Sequence, residues 1–446
     1  MFYRKKQTAK IRQIMNKRVT NFVDLLCRQA EEKPAQKIYT FLEDGETESA
    51  TLTYTELHRQ AQIIAFRLRE IAKPGDRILL LYPPSLDYIA AFFGCLYGGF
   101  IAVPAYPPRH PRHMQRIEAI LADAEATVAL TLNSLIEKVE SWLDRQKFNH
   151  LSIIATDLLI EEGDYSSKFS IAGDTIAFLQ YTSGSTGNPK GVKVTHGNLW
   201  HNSQLIYDVS NHNSDSILLS WLPPYHDMGL IAGILQSFYG KFPGILMSPA
   251  TFMQRPYIWL QAISRYRATT SGSPNFAYDL CVDKVNAEQR QTLDLSCWRV
   301  ASNGAEPLRF QTIERFIATF ADCRFRADAF LPCYGLAEAT LIVTGKRPYS
   351  CQTLNAEALE RNQIAIAKPG ENSRQFVSSG QVLGEMEVAI ADPETLTASP
   401  RDRIGEIWIA GPSVTQGYWN QTEATTETFT AKLDRQGSFL RTGDLG

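Results

Sequence analysis

The sequence has no surplus of charge, no long apolar run and no cysteine framework, and each absence excludes a class of protein. Lys plus Arg total 45 against 47 Asp plus Glu, a formal net charge of −2. A protein that grips a nucleic-acid backbone needs a basic surplus, so no nucleic-acid partner is expected. No stretch approaches the roughly 18 apolar residues needed to cross a bilayer, so no stable membrane insertion is expected. The seven cysteines, at 27, 95, 281, 297, 323, 333 and 351, form neither a CxxC pair nor an even framework. Free or buried thiols in a reducing cytoplasm are the expectation. Arg4, Lys5, Lys6, Lys10, Arg12, Lys17 and Arg18 give a basic start with no apolar segment behind it. That reads as a solvated terminus and not as a signal peptide. The hydrolase signatures G-x-S-x-G and H-E-x-x-H are also missing.

What is present is an ordinary globular composition, 44% hydrophobic and 21% charged over 446 residues. That length suggests two or three folding units. Leu57, Ala61, Ile64, Leu68 and Ile71 recur at helical spacing over 53–71, with Thr53 and Glu56 placed as a capping box. The apolar run 77–82 follows, then Pro83-Pro84 and Ser85 as a cap for a helix ending near Gly98-Gly99. Apolar strands at 100–103 and 127–131 flank a helix marked by Met114, Ile117, Ile120, Leu121 and Ala124. Fully apolar strands alternating with helices imply a parallel sheet covered on both faces. The rhythm restarts at 175–181, with strands at 216–221, 244–247 and 298–301. Near Gly380 it gives way to short alternating runs at 385–390 and 406–410. The fold class is therefore α/β: one α/β unit over 1–174, a second over 175–379, and a β-rich unit over 380–446.

The strongest chemical signal lies at 181–191, Tyr-Thr-Ser-Gly-Ser-Thr-Gly-Asn-Pro-Lys-Gly, directly after the apolar strand. Gly184 and Gly187 let backbone N–H groups close around an anion. Thr182, Ser183, Ser185 and Thr186 add hydroxyls, and Lys190 adds a mobile positive charge. A Walker A loop would need Gly at 189 and Ser or Thr at 191; Pro189 and Gly191 exclude it.

Four further motifs follow in order: Asn303-Gly-Ala-Glu-Pro307, Tyr334-Gly-Leu-Ala-Glu338, Gly405-Glu-Ile-Trp408 with Gly417-Tyr-Trp419, and Arg441-Thr-Gly-Asp444. With the loop, this series resembles the adenylate-forming enzymes, a family that includes acyl- and aryl-CoA ligases, luciferases and peptide-synthetase adenylation domains. The resemblance covers essentially the whole chain and implies ATP and Mg²⁺ as cofactors. It assigns the β- and γ-phosphates to residues 182–187 with Lys190, and the metal to Glu338. Tyr334 would stack on adenine, with Asn303, Gly304, Ala305, Glu306 and Gly335 around it, and Asp444 would hold the ribose. Family members often have Thr before the metal glutamate; this chain has Ala337, so a phosphate contact is expected from Thr340 or His226 instead.

Three segments resemble the fatty acyl-AMP ligases in particular: Trp221-Leu-Pro-Pro-Tyr-His-Asp-Met-Gly229, Ser273-Pro-Asn-Phe-Ala-Tyr-Asp279 and Tyr334 to Leu341. The resemblance places His226 and Asp227 where the acyl and phosphate sites meet. Trp221, Met228, Gly229, Leu230, Ile231 and Phe276 become candidates for an alkyl tunnel. The long connector 341–376 resembles the insertion of that branch, which disfavours CoA and directs the acyl group to an acyl carrier protein. The chain stops at Gly446, short of the hinge and the lysine-bearing small domain, so weak adenylation is expected of this chain alone. Two alternatives stand: a medium- or long-chain acyl-CoA ligase, and a non-catalytic adenylate-binding module.

Overall fold

The computed structural model describes residues 19–108, 110–161, 169–182 and 189–446. The basic start and loop residues Ser183, Gly184, Ser185, Thr186 and Gly187 lie outside the described residues.

Two sheets with helices between and outside them form the body. The first, among the described residues, has six strands in the order 152–155, 128–131, 77–81, 101–105, 176–182, 190–195. All pair in parallel except the last two, which form a hairpin joining Thr182 to Lys190. The second has nine strands, in the order 381–382, 342–345, 330–335, 300–303, 270–273, 218–220, 244–247, 37–42, 48–53. Its central strands are parallel.

Residue alternation decides which layer each strand serves. Ile78 and Leu80 face inward to a core shared with the second sheet, while Leu79 and Leu81 face an outer core with Met114, Ile117 and Leu121. The helix 86–98 lies in the shared layer and is buried along nearly its whole length, as an all-round apolar helix must be. Thr53 and Glu56 do form a capping box, Ser85 does cap the next helix, and Gly99 closes it in the left-handed conformation. The second sheet's far face packs on helices 257–266, 275–284 and 310–320 around Trp259, Tyr278, Trp298 and Phe316.

The pairing cuts across the boundary expected at residue 174. Strands 37–42 and 48–53 join the second sheet through Tyr39 and Gly244, and 176–182 with 190–195 complete the first. The β-rich unit is a five-stranded antiparallel sheet spanning 387–445. Within 341–376 the chain is ordered. Strand 342–345 extends the second sheet, and 351–355 pairs with 373–377 as a separate two-stranded ribbon.

Candidate active site

The parallel strands of the second sheet deliver the site at their C-terminal ends, where such sheets bind ligands. Strand 300–303 runs into Asn303, Gly304 and Ala305, and strand 330–335 into Tyr334 and Gly335. Asn303 is buried and its Nδ2 donates to Asn275 Oδ1 at 3.3 Å. Ala305 takes φ 65°, a left-handed turn that bends the chain away from the sheet. Glu306 does not face the same space: its Oε1 accepts the Phe276 N–H at 2.5 Å. Tyr334 donates its hydroxyl to Asp444 Oδ2 at 2.7 Å, which joins the β-rich unit to the nucleotide candidates.

Glu338 stands on a short 3-10 turn, 337–339, that is braced from behind. Buried Asn202 donates to Ile342 O at 2.9 Å and accepts from Ile342 N at 3.1 Å. Thr340 adopts φ 70°, rare for a β-branched residue. Its hydroxyl donates to Ser413 O at 2.7 Å. That bond and complete burial turn Thr340 away from the site, so the phosphate contact expected of it is corrected to a structural clamp.

The Glu338 carboxylate accepts the Tyr418 hydroxyl on Oε1 at 2.9 Å. The Lys190 ammonium lies over the same Tyr418 ring, 4.9 Å from its centroid. Burial raises the Glu338 pKa, with further upward pressure from Asp227 and opposing effects from backbone and Tyr418 hydrogen bonds and from Lys190. Sequence alone assigns Tyr418 no role. The signal for it was its place in Gly417-Tyr-Trp419.

Across the opening, His226 Nδ1 lies 2.6 Å from Asp227 Oδ1, which also accepts the Met228 N–H at 2.6 Å. The Asp227 hydrogen bond raises the His226 pKa more than desolvation lowers it. With Nδ1 committed to Asp227, Nε2 is the nitrogen left for a ligand. The π-helix 228–235 follows. A Cβ on Gly229 would sit 2.0 Å from Pro223 O, so Gly229 serves this close packing.

A cavity of about 250 Å³ opens beside these groups. Gly304, Ala305, Tyr334, His226 and Asp227 rim it; Met228, Leu219, Val300 and Leu331 line its depth. Trp221 and Phe276 do not line it. Trp221 stacks on Phe252 at 3.9 Å within the core on the second sheet's far face, and Phe276 lies at the surface. Leu230 and Ile231 are fully buried in the shared layer. The apolar walls of this cavity therefore come mainly from strand residues, with Met228 the one among the expected apolar candidates that lines it.

The AMP-binding enzyme family matches residues 26–419. The chain belongs to that family. Within it the chain sits in the fatty acyl-AMP ligase branch. It is 46% identical over 441 residues to a medium-chain-fatty-acid–[acyl-carrier-protein] ligase of Moorena producens, covering 96% of this chain and 74% of that protein. It is 36% identical to a 4-hydroxyphenylalkanoate adenylyltransferase of Mycobacterium marinum, covering 96% and 72%. Among solved structures, a fatty acyl-adenylate ligase from L. pneumophila in complex with acyl adenylate and pyrophosphate superposes with a TM-score of 0.90. Its identity is 43%, covering 97% of this chain and 76% of that one. Among the described residues no helix is long and apolar enough to cross a membrane.

Proposed function

We propose that this AMP-binding enzyme activates a fatty acid of medium length with ATP and passes the acyl group to an acyl carrier protein. The observation that carries this reading is the continuity of one apolar cavity with the polar rim at His226, Asp227 and Tyr334. The cavity follows strand 330–335 from Gly335 down to Leu331. Four residues at about 3.3 Å each give a depth of about 13 Å. A zigzag of 1.5 Å carbon bonds advances about 1.3 Å per bond, so that depth takes on the order of ten carbons.

The chemistry joins a carboxylate oxygen to the α-phosphorus of ATP while the bond to the β-phosphate oxygen breaks and pyrophosphate leaves. His226 Nε2 would meet the charge that develops between carboxylate and phosphate. Lys190 leaves the Tyr418 ring to pair with the departing phosphates. Tyr334 and the Gly304–Ala305 turn hold the base, and Asp444 accepts from the ribose. Glu338 accepts the Tyr418 hydroxyl on Oε1, and its carboxylate would hold the metal. A single carboxylate beside phosphate oxygens suits Mg²⁺. When bound, the ion neutralises phosphate charge.

The test is fatty-acid-dependent exchange of labelled pyrophosphate into ATP, followed by mass spectrometry of a holo acyl carrier protein and of CoA. Exchange with medium-length acids and loading of the carrier are expected. Exchange with no fatty acid of any length would sink the reading, and thioester formation on CoA alone would favour the acyl-CoA ligase alternative.

A further inference from the structure

The far end of the cavity is polar, although its walls are not. His212, Thr270, Gln236 and Ser210 line it beside Leu218, Val300 and Leu331; Leu218, Thr270 and Val300 open their strands and Leu331 is the second residue of its own. Thr270 pairs with both Val300 and Leu218, so these residues lie level at the starts of their strands, at the opposite end from Gly304 and Gly335.

The imidazole of His212 is fixed there from every side. Its Nε2 is 3.1 Å from Thr270 Oγ1, and its Nδ1 is 3.3 Å from the Gln236 amide. The amide orientation that satisfies its surroundings donates to Ser203 O at 3.2 Å and accepts from Tyr207 N at 3.3 Å. Its oxygen then accepts from His212 Nδ1–H, and Nε2 accepts the Thr270 hydroxyl. Both ring nitrogens are thereby used within the protein. Phe242 and Tyr207 meet the ring edge-on at 5.0 and 5.9 Å. Behind Ser210, the Arg347 guanidinium donates to the Ser210 carbonyl at 3.1 Å and to the Arg299 carbonyl, so the wall cannot recede on that side. Burial, with a smaller effect of Arg347, lowers the His212 pKa to about 4 and keeps the ring neutral, as an alkyl terminus requires.

We infer that His212, held by Thr270 and Gln236, is the fixed floor of the acyl site and sets the longest chain the enzyme accepts. The inference rests on the function proposed above. A floor made of freely rotating leucines yields to a longer chain by rotamer change; a ring bonded at both nitrogens does not.

The experiment is a ladder of acyl-sulfamoyl adenosines with even acyl chains from C4 to C16, titrated against the parent, His212→Ala and Thr270→Val. In the parent, affinity should rise about fourfold per methylene to a ceiling near ten carbons and then fall. In His212→Ala the ceiling should move up by at least a pair of carbons while the C4 ligand binds as before. Thr270→Val frees Nε2 without removing the ring and should soften the ceiling in the same direction. An unchanged ceiling in both variants would overturn the inference. So would loss of C4 affinity in His212→Ala, which would make the ring a prop for the rim. Failure of the parent to bind any member of the ladder would overturn the function itself, and the floor with it.

Discussion

Gly335 joins the adenine candidate Tyr334 to the turn that carries Glu338, and it has no room for a side chain. A Cβ there would lie 1.6 Å from Leu341 O and 2.6 Å from Leu341 C, both backbone atoms of the facing segment. Real Cβ contacts essentially never fall below 3.0 Å, so Gly335→Ala must part the two segments by about 1.4 Å. No side chain can swing away to absorb that. Overpacking of this kind typically costs about 1–3 kcal/mol of stability. A displacement of about 1 Å near the reacting atoms can cost about 100-fold in rate. Urea denaturation and pyrophosphate exchange read the two effects separately. Two controls grade the result. Gly304→Ala meets the movable Cys333 Sγ at 2.8 Å as well as Cys333 O at 2.9 Å and should be milder. Gly443→Ala has open space but φ 74°, so only a left-handed penalty of about 1–2 kcal/mol applies. A Gly335→Ala protein indistinguishable from Gly443→Ala in both assays would refute the reasoning.

Other outcomes follow from the site's electrostatics and packing. Burial raises the Glu338 pKa, so the unfolded chain releases that proton at lower pH, and the ionised carboxylate opposes folding once pH exceeds the ordinary carboxylate range. Glu338→Gln should therefore melt higher than the parent at pH 7–8 and equal to it below about pH 4, while losing the stabilisation given by ATP with Mg²⁺. The His226 pKa is raised by Asp227, so its stabilising contribution is complete below about pH 6.5 and fades as pH climbs through the raised value. In Asp227→Asn the His226 ring should titrate lower by NMR; an unchanged value would contradict the pairing. Tyr418→Phe keeps the ring beneath Lys190 but removes the hydroxyl from Glu338, and should weaken the metal dependence of exchange while leaving the Tm within a few degrees. Trp221→Ala should cost about 3–5 kcal/mol and leave the relative preference among chain lengths untouched.

Local structure was legible where the cause is local. Thr53 with Glu56, Ser85, and Gly99 after its helix are read from a few neighbouring residues, and strands 244–247 and 406–410 appear with the boundaries the pattern gave. Partner choice was not legible, because an apolar run such as 37–42 does not name the strand it will pair with. The same limit applied to the site. Trp221 and Met228 are equally apolar seven residues apart, yet a stack on Phe252 takes one into the core while the start of the π-helix puts the other on the cavity. Thr340 has the hydroxyl a phosphate contact needs, but whether it faces ligand or backbone depends on Ser413, which is far away in the chain. His212, Gln236 and Thr270 carry no signal in the sequence, because only folding brings them to one point.

The exchange of strands between the two sheets has a consequence for how the chain is made. The Tyr39 hydroxyl donates to Ile234 O, 195 positions later. At a synthesis rate of about 5–20 residues per second, the first strands wait about 10–40 s for their partners to leave the ribosome. During that interval the edge of 37–42 and the apolar helix 86–98 have no second sheet to cover them. Ribosome-bound chains ending before residue 244 should bind holdase chaperones and be cut readily by protease. Chains extended past it should lose both properties together, which makes the two sheets one unit of biogenesis.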